Sequence, residues 1–165
     1  MSNDIPAVSV IIPVYNAAEF LKDGLNSLLK QTLREIEIIC VDDGSTDGSL
    51  VILKEFEKAD ARIRVIHQEN QGAGAARNNG MDVARGKYLA FLDADDIWLE
   101  DKLVKELAYM RAQNAGFVFT GYEFADEKGV GLGKIVHVPA TIKYEQALKN
   151  TTIFTSTVMI DRDKI

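Results

Sequence analysis

Cysteine is almost missing from this chain: Cys40 is the only one among 165 residues. Lying inside the apolar run "IEIICVDD", it reads as a small core residue in a reducing compartment, so no disulfide framework carries the fold. Also missing is any uninterrupted apolar stretch near the ~18 residues of a membrane span. The N-terminal "MSNDIPAVS" has neither the basic nor the apolar region of a signal peptide. Those absences lead to the expectation of a soluble, cytoplasmic chain. Clustered cations are scarce as well: the formal net charge is −6, the sequence pI is near 5.0, and no Lys/Arg block stands out. That argues against nucleic acid as the main partner, because backbone binding depends on clustered positive charge. No internal repeat or low-complexity tract is present, and no linker interrupts the first 116 residues.

What is present is an ordinary globular composition, 47% hydrophobic and 27% charged, long enough for one domain with a sizeable core. "VSVIIPVY" (8–15) is β-branched and reads as a buried strand ending near Pro13. Asn16 and Glu19 in "NAAE" form a capping-box pattern, and Leu21, Leu25, Leu28 and Leu29 supply the apolar face of a helix. "IEIICVDDG" (36–44) is a second strand, with Ser45 to Asp47 offering caps for a helix marked by Val51, Ile52, Leu53 and Phe56. "IRVIHQ" (63–68) is a third strand. A turn around Gly72 and Gly74 leads to a third helix stopped by Gly86. "YLAFLD" is a fourth strand, followed by the helix "EDKLVKELAYMRAQ" with acidic residues in its first turn. Four strand–helix alternations imply α/β architecture: right-handed crossovers and a mostly parallel central sheet covered by helices on both faces. After Gly116 the pattern is mixed, with strand-like "FVFTGYEFAD", "KIVHVP" and "TSTVMID" and a helical "TIKYEQALKN".

Ligands in open α/β sheets bind outside the carboxyl ends of the strands. The residues there are Pro13, Val14 and Tyr15 on the first strand, Asp42 and Asp43 on the second, and Asp93, Ala94 and Asp95 on the fourth. Asp93, Asp95 and Asp96 crowd three carboxylates into four residues, and like charges ~4 Å apart repel by about 1 kcal/mol per pair even in water. If the segment is extended, Asp93 and Asp95 face one ligand while Ala94 turns aside. Hard oxygen donors suit Mg²⁺ or Mn²⁺, whose shells are commonly completed by substrate phosphates. Neither a P-loop nor a GxGxxG follows the first strand, which makes a metal the natural bridge to a diphosphate. Plainer readings stand beside these. Asp42–Asp43–Gly44 is also a turn-forming sequence, Asp93 and Asp95 also fit a solvated strand end, and Arg77 can simply pair with a carboxylate. Asp96 reads as a turn or helix-start residue, His67 and His137 as structural, and Trp98 as packing beneath the site.

"VSVIIPVYNAAEFLKDGLNSLLKQTLREIEIICVDDGSTDGS" followed by "NQGAGAARNNGMDVARGKYLAFLDADDIW" resembles the nucleotide-sugar-binding half of the family-2 inverting glycosyltransferases with the GT-A fold. The resemblance covers nearly the whole chain and is strongest over 8–98. It implies a single domain over 1–165 that stops short of the family's C-terminal part, with 8–116 binding the donor and 117–165 beginning the acceptor side. Pro13 and Tyr15 then correspond to residues lining base and ribose, and Asp43, with Asp42 beside it, to the carboxylate that accepts from the base. Arg77 corresponds to a basic residue near base and diphosphate. Asp93 and Asp95 correspond to the DxD pair, Asp95 towards a Mn²⁺ or Mg²⁺ ion and Asp93 towards ribose and metal hydration shell. The implied reaction moves a sugar, with inversion, from a nucleotide-diphosphate donor (a UDP-sugar favoured) to a glycan or glycolipid hydroxyl. It implies cell-surface polysaccharide or glycolipid assembly, with association at the inner face of the membrane. The family's acidic general-base motif has no counterpart: Asp126 and Glu127 read as a turn, and Asp161 and Asp163 follow the last strand. Two rival readings remain, a donor-binding module without the chemistry and a haloacid-dehalogenase-type phosphohydrolase. The second expects its DxD on the first strand rather than the fourth.

Overall fold

A computed structural model describes residues 5–143, 145 and 153–165 of the chain. Its first eight elements alternate as the apolar pattern demands: β1 (Val8–Val14), α1 (Leu21–Leu29), β2 (Ile36–Asp43), α2 (Ser49–Ala59), β3 (Ile63–Gln68), α3 (Ala73–Val83), β4 (Tyr88–Phe91) and α4 (Lys102–Ala112). The later strands are β5 (Phe117–Phe119), β6 (Tyr122–Ala125), β7 (Gly131–Val136) and β8 (Val158–Asp161). β8 is entered through a 3-10 turn, Thr155–Thr157. Most of "TIKYEQALKN", expected as a helix, lies outside the described residues.

Six strands form the central sheet in the order β3-β2-β1-β4-β8-β5. β3, β2, β1 and β4 run parallel, and β8 is antiparallel to both its neighbours. β6 and β7 make a separate antiparallel hairpin. Side chains alternate across the sheet. Val10, Ile12, Ile38 and Cys40 pack with Leu21, Leu25 and Leu28 of α1, Leu53 of α2 and Leu103, Leu107 and Met110 of α4. Ile11, Ile39 and Val41 pack instead against Ala76 and Met81 of α3. Described helices therefore cover both faces, α1, α2 and α4 on one and α3 on the other. Cys40 is fully buried, and burial pushes its thiol pKa up to about 12, as suits a core residue.

Strand order reverses at β1, which sends its chain left to β2 and receives β4 on its right, so a crevice opens between the ends of β1 and β4. Pro13 helps to open it. Leu92 N–H donates to the Ile11 carbonyl, so Ile11 faces β4, and Pro13 two residues on faces the same way. The β1–β4 register stops at Ile11↔Phe91, so the missing N–H of Pro13 costs no ladder bond on the side where β4 has turned away.

Three expectations are corrected here. No capping box forms at Asn16: α1 starts at Leu21 and its N-cap, Phe20, makes no side-chain cap bond. Asn16 instead takes a left-handed conformation, φ 49°, because its side chain is drawn to the β2–α2 loop, where Oδ1 accepts from Thr46 N–H at 2.8 Å. Glu100 and Asp101 precede α4 rather than filling its first turn. Gly72 makes the tight turn, with φ 89°, whereas Gly74 already lies in α3.

Candidate functional site

Asp93–Asp96 is a turn, closed by Asp96 N–H donating to the Asp93 carbonyl at 3.0 Å, not the extended strand end expected from "YLAFLD". β4 stops at Phe91, and after the Leu92 N–H bond to Ile11 the chain turns away from β1. The turn is held from both sides. α1 approaches so closely that a Cβ on Gly24 would lie 3.0 Å from the Asp96 carbonyl. Ser27 Oγ accepts from Trp98 N–H at 3.1 Å, and buried Gln31 donates to the Leu99 carbonyl at 2.7 Å and accepts from Leu103 N–H at 3.1 Å. From the 3-10 turn, Ser156 Oγ accepts from Asp93 N–H at 2.9 Å. The Ser156 carbonyl accepts from Trp98 Nε1 at 2.8 Å. Trp98 is buried in the core, as expected of a packing residue below the acidic turn.

The carboxylates of the turn have different surroundings. Arg77, on α3, places Nη2 2.5 Å from Asp93 Oδ1, so two residues singled out separately in the sequence are paired with each other. The bond is monodentate, and Arg77 Nε is buried without a hydrogen-bond partner among the described residues. Asp95 is exposed and has no hydrogen-bond or ion-pair partner among the described residues. Asp96 stays exposed as a residue, yet partial burial of its carboxyl raises its pKa. A hydrogen bond from Ser156 opposes that rise, and the charges of Asp95 and Asp93 add to it.

At the end of β2 the neighbouring aspartates separate, because adjacent strand residues point to opposite faces. Asp42 follows Cys40 onto the α2 face, fully buried, with Oδ2 2.6 Å from His67 Nδ1. Its Oδ1 has no partner among the described residues. Asp42 thus ties β2 to β3 rather than facing a ligand, and His67 serves structure. Asp43 follows Val41 onto the α3 face, only 2% exposed. It accepts from Gln71 N–H at 2.9 Å and Gln68 Nε2 at 2.8 Å on Oδ1, and from Gly72 N–H at 2.8 Å on Oδ2. Burial raises its pKa, but these three bonds to the ionised form outweigh it, and the net shift is downward. Gln68 is oriented in turn by Asn79 Nδ2, 2.9 Å from its Oε1. Of the roughly four acceptor positions of a carboxylate, one on Oδ2 is left.

Of the β1 residues singled out, Tyr15 is 53% exposed at the crevice, whereas Pro13 and Val14 are buried. Val14 packs in the core, so its side chain does not line a site. The three N–H groups that follow Tyr15 are each satisfied by the β2–α2 loop: Asn16 by Ser45 Oγ, Ala17 by Ser49 Oγ and Ala18 by Asp47 Oδ2. Asp47 Oδ1 also accepts from Ser49 N–H at 2.9 Å, although the N-cap of α2 is Gly48 rather than one of the residues Ser45 to Asp47 expected to cap it.

Among the described residues no group of three His, Cys, Asp or Glu side chains is gathered at metal-ligand spacing. The donor set nevertheless suits a hard cation: unpaired Asp95 and half-exposed Asp93 offer hard oxygens, and a bound phosphate supplies more. Asp126, one of the carboxylates weighed as a base, accepts from Lys128 and Val130 N–H at 2.9 Å and so shapes the β6–β7 turn. Asp161 is buried beside Lys87. No described helix is long and apolar enough to cross a membrane.

Comparison with known proteins bears on this geometry. The model of the family described as "Glycosyl transferase family 2" matches residues 9–162. The chain is 47% identical over 165 residues to "Putative teichuronic acid biosynthesis glycosyltransferase TuaG" of Bacillus subtilis, covering 99% of this chain and 66% of that one. It is 38% identical over 156 residues to the Escherichia coli "UDP-Glc:alpha-D-GlcNAc-diphosphoundecaprenol beta-1,3-glucosyltransferase WfgD", covering 94% and 60%. Among solved structures, S. aureus TarS 1-349 in complex with UDP superposes with a TM-score of 0.68 at 30% identity, over 74% of this chain and 37% of that one. The chain thus spans about two thirds of its full-length relatives or less.

Proposed function

Because the chain belongs to glycosyl transferase family 2 and has the GT-A type of α/β fold, we propose that its β1–β4 crevice binds a nucleotide-diphosphate sugar. The donor is a UDP-sugar, held with one Mn²⁺ or Mg²⁺ ion for transfer of the sugar to an acceptor hydroxyl. The observation that carries this reading is the convergence of Tyr15, Arg77, Asp93 and Asp95 on the one crevice of the sheet. The names of relatives support the donor: WfgD acts with UDP-Glc, and TarS holds UDP.

Tyr15 offers an exposed ring for base and ribose. Asp43, kept ionised, offers its remaining Oδ2 acceptor to a base N–H. Asp95 and Asp93 hold the cation, which supplies electrostatic stabilisation to the departing diphosphate. Arg77 brings a fork of donors suited to phosphate oxygens. In the transfer the bond from the anomeric carbon to the diphosphate oxygen breaks and a bond to the acceptor oxygen forms with inversion. The acceptor's proton passes to a base outside the residues assigned here. The acceptor in this reading is a glycan or glycolipid of the cell surface, used at the cytoplasmic face of the membrane. Calorimetric titration of UDP, GDP and dTDP with Mn²⁺ and with EDTA, on wild type and Asp95→Ala, tests it. Binding of UDP that needs both the cation and Asp95 is expected. Equal binding in EDTA, or in the variant, contradicts it.

A further inference from the structure

Two segments distant in sequence meet at one serine, and no motif marks it. Ser156 is 7% exposed, and its polar atoms are nearly all used on the acidic turn and the tryptophan below it. Its hydroxyl accepts from Asp93 N–H at 2.9 Å. Its carbonyl accepts from Trp98 Nε1 at 2.8 Å. A serine hydroxyl offers lone pairs as acceptors, and here one of them takes the Asp93 amide.

We propose that Ser156 is a positioning residue for donor binding: it fixes the Asp93–Asp96 turn so that Asp95 and Asp93 present their oxygens to one cation. The inference rests on the nucleotide-sugar reading above. The reason lies in what else could set the turn. Phe91 is the last β4 residue paired with β1, so the backbone of residues 93–96 is free of the sheet. Its internal bond, Asp96 N–H to the Asp93 carbonyl, closes the turn without orienting it relative to β1. Gly24 and Ser27 of α1 limit it from one side. Ser156 holds Asp93 through its hydroxyl and Trp98 through its carbonyl, and so ties down both ends of the segment in which Asp95 stands.

β8 explains how a serine so far along the chain reaches the site. The strand inserts between β4 and β5, pairing Ala90 with Met159, so the turn immediately before it arrives at the end of β4. The position of Ser156 is thus a consequence of sheet order.

The test compares Ser156→Ala, Ser156→Thr and wild type by calorimetry with Mn²⁺ and UDP, alongside urea denaturation. A site-orienting hydroxyl predicts that Ser156→Ala binds Mn²⁺·UDP about tenfold more weakly, the loss of roughly one buried bond to the turn. Ser156→Thr, which keeps the hydroxyl, should recover most of that affinity. A merely structural hydroxyl predicts lower urea stability with an unchanged dissociation constant in the folded protein, and that result overturns the proposal. So does loss of affinity that threonine fails to restore while the variant remains folded. Failure of wild type itself to bind Mn²⁺·UDP overturns the nucleotide-sugar reading instead, so the two failures are distinguishable.

Discussion

Replacing Arg77 by glutamine removes a positive charge that stands where the proposed cation would act. Arg77 Nη2 is 2.5 Å from Asp93 Oδ1, with 24% of the arginine side chain and 35% of the aspartate exposed. Unit charges ~4 Å apart attract by about 1 kcal/mol in bulk water and about 4 kcal/mol at an effective dielectric constant near 20. With that exposure the lower end applies, about 1–2 kcal/mol after screening. A cation alone must forfeit this attraction to use Asp93, and it also meets the guanidinium charge. Arg77→Gln should therefore bind Mn²⁺ without nucleotide about 5–30-fold more tightly than wild type. Nucleotide affinity should move the opposite way, falling by about tenfold at saturating Mn²⁺, because the phosphate loses a charged fork. The buried, unpartnered Nε makes the same point, since an unpaired buried donor costs about 1–3 kcal/mol that a phosphate oxygen can recover. Free Mn²⁺ read by electron paramagnetic resonance gives the first number, and UDP calorimetry gives the second. A folded Arg77→Gln variant whose Mn²⁺ affinity equals or falls below wild type would refute the competition.

Two further outcomes follow from buried charge. Lys102 and Glu106 are 10% and 3% exposed with Nζ and Oε2 2.7 Å apart, and burial lowers the lysine pKa and raises that of the glutamate. Lys102→Met should cost about 3–5 kcal/mol in urea denaturation, while Lys102→Met with Glu106→Leu should return to within about 1 kcal/mol of wild type or exceed it. Asp43→Asn puts an NH₂ group among three donors and should cost about 1.5–3 kcal/mol. Because the folded pKa of Asp43 is depressed below 3.8, its contribution is complete above the unfolded value and lost as pH falls through the folded one. The stability gap between wild type and Asp43→Asn should thus be widest near neutral pH and close in acid.

Much of the architecture was legible because a buried parallel sheet writes long β-branched runs and its helices write leucines at helical spacing. Ile63–Gln68 was bounded to the residue. The DxD pair and Arg77 were visible as chemistry, but not their pairing, which depends on α3 lying over β1 and β2 with Arg77 reaching the end of β4. Treating Asp42 and Asp43 as one acidic patch failed for a reason already present in strand geometry: neighbours in a strand face opposite ways, and only Asp43 looks towards α3. The capping box at Asn16 failed because a local pattern lost to a tertiary one, three N–H groups claimed by the β2–α2 loop. Ser156 left no signal at all. Its role depends on β8 entering the sheet beside β4, which a run of "TSTVMID" cannot announce.

The central claim is the location of the site, and paramagnetic broadening of amide signals reads location directly. The ¹⁵N-labelled chain would be compared with UDP and Mn²⁺ against UDP and Mg²⁺. Mn²⁺ should bleach the signals of Asp93–Ile97, Tyr15, Asn16 and the start of α3, and leave the opposite strand ends, Ile36 and Ile63, untouched. Bleaching centred on the β6–β7 hairpin or on those opposite ends, with the acidic turn unaffected, would contradict it.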